Sequence, residues 1–110
     1  MNLIKKYTER YAYQIEYSEE DKVYIARCAE LPDVLAHGKS DTDAIKEIKL
    51  AVEGVLKWMK EDKEALPEPF CYHKFSGELR LRMSQEKHRQ VAIQAKLQGV
   101  SMNQYILSRI

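Results

Sequence analysis

The chain is poor in cysteine. It holds two in 110 residues, Cys28 and Cys71, with no paired spacing. That argues against a disulfide framework and against a zinc motif. Long apolar runs are also missing, and none approaches the roughly 18 residues that a membrane-crossing helix needs. Met1 to Arg10 contains no extended apolar stretch of the signal-peptide kind. The cytosol is therefore the expected compartment, and its reducing conditions would leave both thiols free. No internal repeat or low-complexity tract breaks the chain.

What is present is globular in character: 45% hydrophobic and 32% charged residues. The length suits one ordinary domain or two very small ones. A very small piece buries too little surface to fold alone and needs a partner copy. The formal charge of +1 conceals a division. Residues 1–70 carry 11 Lys and Arg against 15 Asp and Glu, a net of −4, and residues 71–110 carry 7 against 2, a net of +5. A basic C-terminal part suits a polyanion, and an acidic N-terminal part suits a basic protein.

Tyr11, Tyr13, Ile15 and Tyr17 alternate with Ala12, Gln14 and Glu16, the period of a strand. Ser18 to Lys22 reads as a hairpin connection and Val23 to Cys28 as a second strand. Leu31-Pro32-Asp33 breaks that strand, because proline cannot donate to a ladder. Val34 to His37 reads as a short third strand ended by Gly38. Ser40 then caps a helix, with Asp43 at the third helical position and Asp41 and Asp43 at the positive end of its dipole. Ala44, Ile45, Ile48, Ala51, Val52, Val55, Leu56 and Met59 form one apolar stripe that the sheet can cover. The helix should fade near Glu61 to Glu64. The expected fold class is α+β: a small three-stranded antiparallel sheet with a packed helix over residues 1–66. Pro67-Glu68-Pro69 opens a linker over 67–75, and a second domain spans 76–110.

That second domain carries the sharpest pattern. Leu79, Leu81 and Met83 alternate with Glu78, Arg80 and Arg82. Ser84 caps a helix with His88, Val91, Ala92 and Ala95 on one face, and Gly99 ends it in a left-handed conformation. Ser101 and Gln104 form a capping box for a second helix whose apolar side is Met102, Tyr105, Ile106 and Ile110. A single strand cannot satisfy its own hydrogen bonds. Pairing with its copy across a two-fold axis solves this, placing the apolar side chains inward and Glu78, Arg80 and Arg82 outward. Such a ribbon fits the DNA major groove, where Arg bonds bidentately to guanine.

The run from Ser76 to Met83, with Gly99-Val100-Ser101-Met102-Asn103-Gln104-Tyr105-Ile106, resembles the ribbon-helix-helix repressors of the Arc and MetJ kind. That resemblance implies groove-facing positions for Glu78, Arg80 and Arg82, and positions for Ser101 and Asn103 beside the helix start that anchors a phosphate. Glu78 can accept from cytosine N4, or it can weaken binding. Ala29 to Gly38 and Ser40 to Ala44 resemble the HicB signature, with Asp33 where glycine is usual. The tandem order, over about residues 11–110, resembles HicB-type antitoxins. It implies a reduced ribonuclease-H-like N-terminal domain that covers a small basic RNA-cleaving toxin of the HicA type. It also implies repression of the protein's own operon on double-stranded DNA, as a homodimer or a dimer of dimers. No catalysis, cofactor or metal is implied.

Other residues carry weaker alternatives. Glu16, Asp33 and Asp43 form a nuclease-like carboxylate set only if one face gathers them; otherwise they are solvated or contact a partner. Cys71 and His73 lack further metal ligands nearby. His37 and His88 read as packing or capping residues. Trp58 and Met59 read as core, dimer surface or toxin contact. The tyrosine stripe reads as sheet core, since Glu16, Glu19, Glu20 and Asp21 oppose a base-stacking role. Lys74, Lys87, Arg89 and Lys96 would add salt-dependent attraction to DNA.

Overall fold

The computed structural model describes residues 2–110. They form two compact units, one ending at Phe75 and the other running from Ser76 to Ile110. Among the described residues there are three strands and four α-helices.

The first unit is α+β. It begins with α1 (Leu3–Arg10), continues through β1 (Tyr13–Ser18), β2 (Val23–Cys28) and β3 (Leu31–Gly38), and crosses the sheet with α2 (Asp41–Glu61). The sheet is antiparallel in the order β1-β2-β3. Its inner face is built from cross-strand rows: Tyr13–Cys28–Leu31, Ile15–Ala26–Ala36 and Tyr17–Tyr24–Gly38. Small residues along the middle of that face let α2 come close. Gly38 marks the tightest approach, since a Cβ there would lie 2.5 Å from the backbone nitrogen of Ala44.

The stripe of α2 meets this face as its periodicity requires. Ala44, Ile48, Val52 and Leu56 are fully buried, and Ile45 and Met59 pack against them. The Ser40 side chain accepts from the Asp43 amide at 3.1 Å, which starts the helix. The helix ends at Glu61, and Lys63 follows in a left-handed conformation (φ 59°).

Three features differ from the expectation. The first is α1, which the pattern did not signal. Asn2 caps it by accepting from the Lys5 amide at 2.8 Å, and Ile4 and Thr8 face the core one turn apart. A two-turn helix with a buried threonine has too short an apolar stripe to register as a period. Thr8 is satisfied locally, its hydroxyl donating to the Ile4 carbonyl at 2.8 Å. The second is Tyr11, which precedes β1 instead of opening it. It closes α1, lies buried, and donates its hydroxyl to the Pro67 carbonyl at 2.6 Å. The third is β3, which includes Pro32. The register jumps from Arg27↔Leu35 to Cys28↔Leu31, so Pro32, Asp33 and Val34 fall in an irregular stretch of an edge strand. A missing donor is tolerated there.

Residues 67–75, expected as a linker, are anchored to the first unit. Pro69 is buried and Phe70–Tyr72 form one turn of 3-10 helix. The Glu30 carboxylate accepts from the Ala12 amide at 3.0 Å and the Phe70 amide at 2.9 Å, with the Cys28 thiol at 3.8 Å.

The second unit contains α3 (Gln85–Gln98) and α4 (Met102–Leu107). Ser84 accepts from the Lys87 amide at 3.1 Å, and Gly99 closes α3 at φ 69°. Ser101 and Gln104 form a complete capping box for α4, with bonds of 3.0 and 2.9 Å. Residues 78–84 belong to no helix or strand of the single chain.

Candidate nucleic-acid interface

The candidate interface lies in the second unit, whose burial is unusual. Ala95 is its one buried residue. Leu79 is 83% exposed and Leu81 51% exposed, and Leu97, Val100, Met102 and Ile110 are also open to solvent. Two helices with so little covered surface cannot offset the entropy of ordering themselves. The apolar side chains are nonetheless organised. Leu81 and Met83 line an open depression of about 770 Å³ with Val91, Tyr105 and Ile106. Leu79 joins them at an adjoining one of about 460 Å³, with His88 and Met102.

The segment that carries the charges is positioned by its ends. Gly77 sits at φ 83°, a conformation that favours glycine. Ser76 fixes the turn, its hydroxyl accepting from the Glu78 amide at 3.1 Å. At the other end Ser84 is the α3 cap. Between them Glu78, Arg80 and Arg82 are all exposed. Neither arginine forms an ion pair among the described residues, in contrast to Arg89, which lies 3.6 Å from Glu86. From Leu79 to Met83 the exposed backbone is apolar on alternate residues and basic between them, the pattern of an edge strand.

Ser101 is exposed, with its hydroxyl engaged by the Gln104 amide, and Asn103 is exposed on α4. Lys74, Lys87, Arg89 and Lys96 are exposed as well, and His88 lies open on α3.

The remaining candidates are scattered over the first unit. Glu16 lies on β1, Asp33 in the irregular part of β3, and Asp43 in the first turn of α2. No group of three His, Cys, Asp or Glu side chains among the described residues is arranged to hold a metal ion. Cys71 is exposed, with its sulfur 3.6 Å from the Arg10 carbonyl, and the His73 ring lies tilted beside Phe70 and Phe75, its centroid 6.4 and 6.3 Å from theirs. His37 is exposed on β3. Met59 packs on the core while Trp58 stands 58% exposed. Burial pushes the Tyr11 and Tyr13 phenols and the Cys28 thiol above their ordinary pKa values.

Sequence reasoning missed Glu30 and Tyr11 as anchors. Their partners lie 40 and 56 residues away, so no local pattern signals them.

No helix among the described residues is long and apolar enough to cross a membrane. The family model described as HicB family matches residues 61–110, from the last residue of α2 through the whole second unit. No curated protein and no solved structure matches the chain.

Proposed function

We propose that the chain is an antitoxin of the HicB type, a binding protein and not an enzyme. Two copies pair residues 78–83 as an antiparallel ribbon, a ribbon-helix-helix dimer, and close the apolar surface of α3 and α4 between them. The ribbon enters the major groove of a palindromic operator. Arg80 and Arg82 read base edges and Glu78 takes the third outward position. Ser101 and Asn103 lie beside the start of α4, where a phosphate is anchored. The acidic first unit, a reduced ribonuclease-H-like sheet with its helix, covers the basic face of an RNA-cleaving toxin of the HicA type. The protein thereby silences the toxin and represses their shared operon in the cytoplasm.

One observation carries the reading. The second unit has a single buried residue and an unpaired segment in which apolar and basic residues alternate. The family match over residues 61–110 supports it. Each good arginine–base contact gives about 1–3 kcal/mol of discrimination. The double substitution Arg80→Ala, Arg82→Ala should therefore reduce operator affinity by a factor of about 30 or more, while rescue of toxin-arrested growth persists. Gel shifts and growth measurements test this, and unchanged operator affinity defeats it.

A second reading is a regulator without a toxin partner. It draws on the family match leaving residues 1–60 outside it. Co-expression with the product of the neighbouring gene separates the two, since only the antitoxin co-purifies with a small basic protein.

A further inference from the structure

The two thiols are far apart in the sequence, and their spacing signals no bond between them. The fold brings both to one short stretch of backbone. Cys28 ends β2 opposite Tyr13 and is 1% exposed. Its sulfur lies 3.8 Å from Glu30 Oε1, which also accepts from the Ala12 amide at 3.0 Å. Cys71 sits in the 3-10 turn and is exposed, with its sulfur 3.6 Å from the Arg10 carbonyl. Glu30 Oε2 accepts at 2.9 Å from the amide of Phe70, the residue beside Cys71. One carboxylate therefore links the two cysteine-bearing segments, next to residues 10–12.

The segment that carries Cys71 is held lightly. Among the described residues, its polar ties to the rest of the first unit are the Phe70–Glu30 bond, the Cys71–Arg10 contact and the Tyr11 hydroxyl on the Pro67 carbonyl. Pro69 is buried beneath it, and the Tyr72 ring meets Tyr7 edge-on, 5.9 Å between centroids. Its single turn is closed by the Tyr72 amide on the Pro69 carbonyl at 3.0 Å. A piece with so few ties can shift while the sheet and α2 stay folded. A shift toward β2 that brings the two Cα atoms within about 7 Å meets the demand of a disulfide.

We propose that Cys28 and Cys71 form a redox switch, in which mild oxidation joins them as a disulfide and locks residues 70–72 to β2. The oxidant is a low-molecular-weight disulfide of the glutathione class. Exposure sets the order. Cys71 meets the oxidant first, and burial pushes the Cys28 thiol up and keeps it from reacting directly. The Cys71 thiolate attacks the external disulfide, forming a mixed disulfide and releasing one thiolate. The Cys28 thiol then gives its proton to the Glu30 carboxylate, and its sulfur attacks Cys71 and releases the second thiolate. Two protein thiols are oxidised, and one external disulfide is reduced to two thiols. In a reducing cytosol the bond stays open and closes as the thiol pool is oxidised, as transient sensing disulfides do. The switch lies wholly in the first unit and is independent of the ribbon.

The test uses the full chain with glutathione disulfide. The product should run as a single chain on a non-reducing gel, with two hydrogens fewer by intact mass and one peptide joining Cys28 to Cys71. Cys28→Ser should stop at a glutathione adduct on Cys71. Amide exchange over residues 70–73 should slow at least tenfold in the oxidised chain. Glu30→Gln should form the adduct at the same rate but close it at least tenfold more slowly, with the deficit shrinking as pH rises and the thiolate forms unaided. A stable adduct on the unaltered chain overturns the proposal, as does a bond between the Cys71 residues of two chains. Unchanged exchange over residues 70–73 refutes the lock, and an unchanged closing rate in Glu30→Gln refutes the carboxylate's part in it.

Discussion

The two units face the same problem, burying apolar surface with a short chain, and solve it in different ways. The first closes its core within one copy. Ile4, Tyr11, Ala26, Cys28, Ala44, Ile48, Val52 and Leu56 meet between α1, the sheet and α2, and the chain out to Phe70 is tied back by Tyr11 and Glu30. The second has well-made helix ends, with a cap at Ser84, a left-handed Gly99 and a full capping box at Ser101, yet Ala95 is all it buries. Local signals for helices and a shortage of core can therefore coexist. Caps define where a helix starts and stops, and only packing makes it persist.

The largest expected effect breaks the second unit alone. Leu81→Asp should abolish pairing of residues 78–83, eliminating operator binding in a gel shift and removing the α3 and α4 contribution to helicity. The first unit should still unfold cooperatively. Retention of operator binding would mean that the second unit does not depend on a paired ribbon. Next in size is Ile48→Ala, which opens a cavity under α2 where Ile48 is completely covered. The first unit should lose about 2–5 kcal/mol, read from the urea midpoint at unchanged slope. A loss below 1 kcal/mol would show that the core is less tightly packed than its burial indicates.

The smallest effect sharpens the account of how the first unit is tied together. Burial, followed by the nearby Cys28 and Glu30, raises the Tyr11 and Tyr13 pKa above the ordinary value of 10.0. The neutral phenols are favoured in the folded unit. Their stabilisation is thus complete below about pH 10 and is lost as pH rises through the raised values. The Cys28 thiol, also raised by burial, acts in the same sense from about pH 9. Thermal unfolding should shift to lower temperature above pH 10. Tyr11→Phe should flatten that decline and cost about 1 kcal/mol at neutral pH through the lost bond to Pro67. An equally steep alkaline decline in the variant would remove Tyr11 from the explanation.

Much of the first unit is legible in its residues. The Ser40 cap and the stripe from Ala44 to Met59 mark α2, and β-branched and aromatic residues mark β2 at its observed bounds. The less legible parts depend on distant contacts. Thr8 belongs to the core because Tyr13 and Ile4 occupy its polar groups, which no propensity scale records. Pro32 lies in β3 because the neighbouring register skips it. In the candidate interface the alternation of Leu79, Arg80, Leu81, Arg82 and Met83 is plain in the sequence, and all five are exposed. A ladder between two chains cannot be drawn from one, so the pattern names the residues but not their pairing.

The near-absence of a core from Ser76 to Ile110 has a consequence for dosage. Where folding needs an encounter, the amount of folded dimer at low concentration rises with the square of the amount of chain, so the folded fraction depends on concentration and not on temperature alone. Dilution during growth, or proteolysis of part of the pool, would then lower the folded share of the second unit, while the first, whose core closes within one copy, does not depend on an encounter.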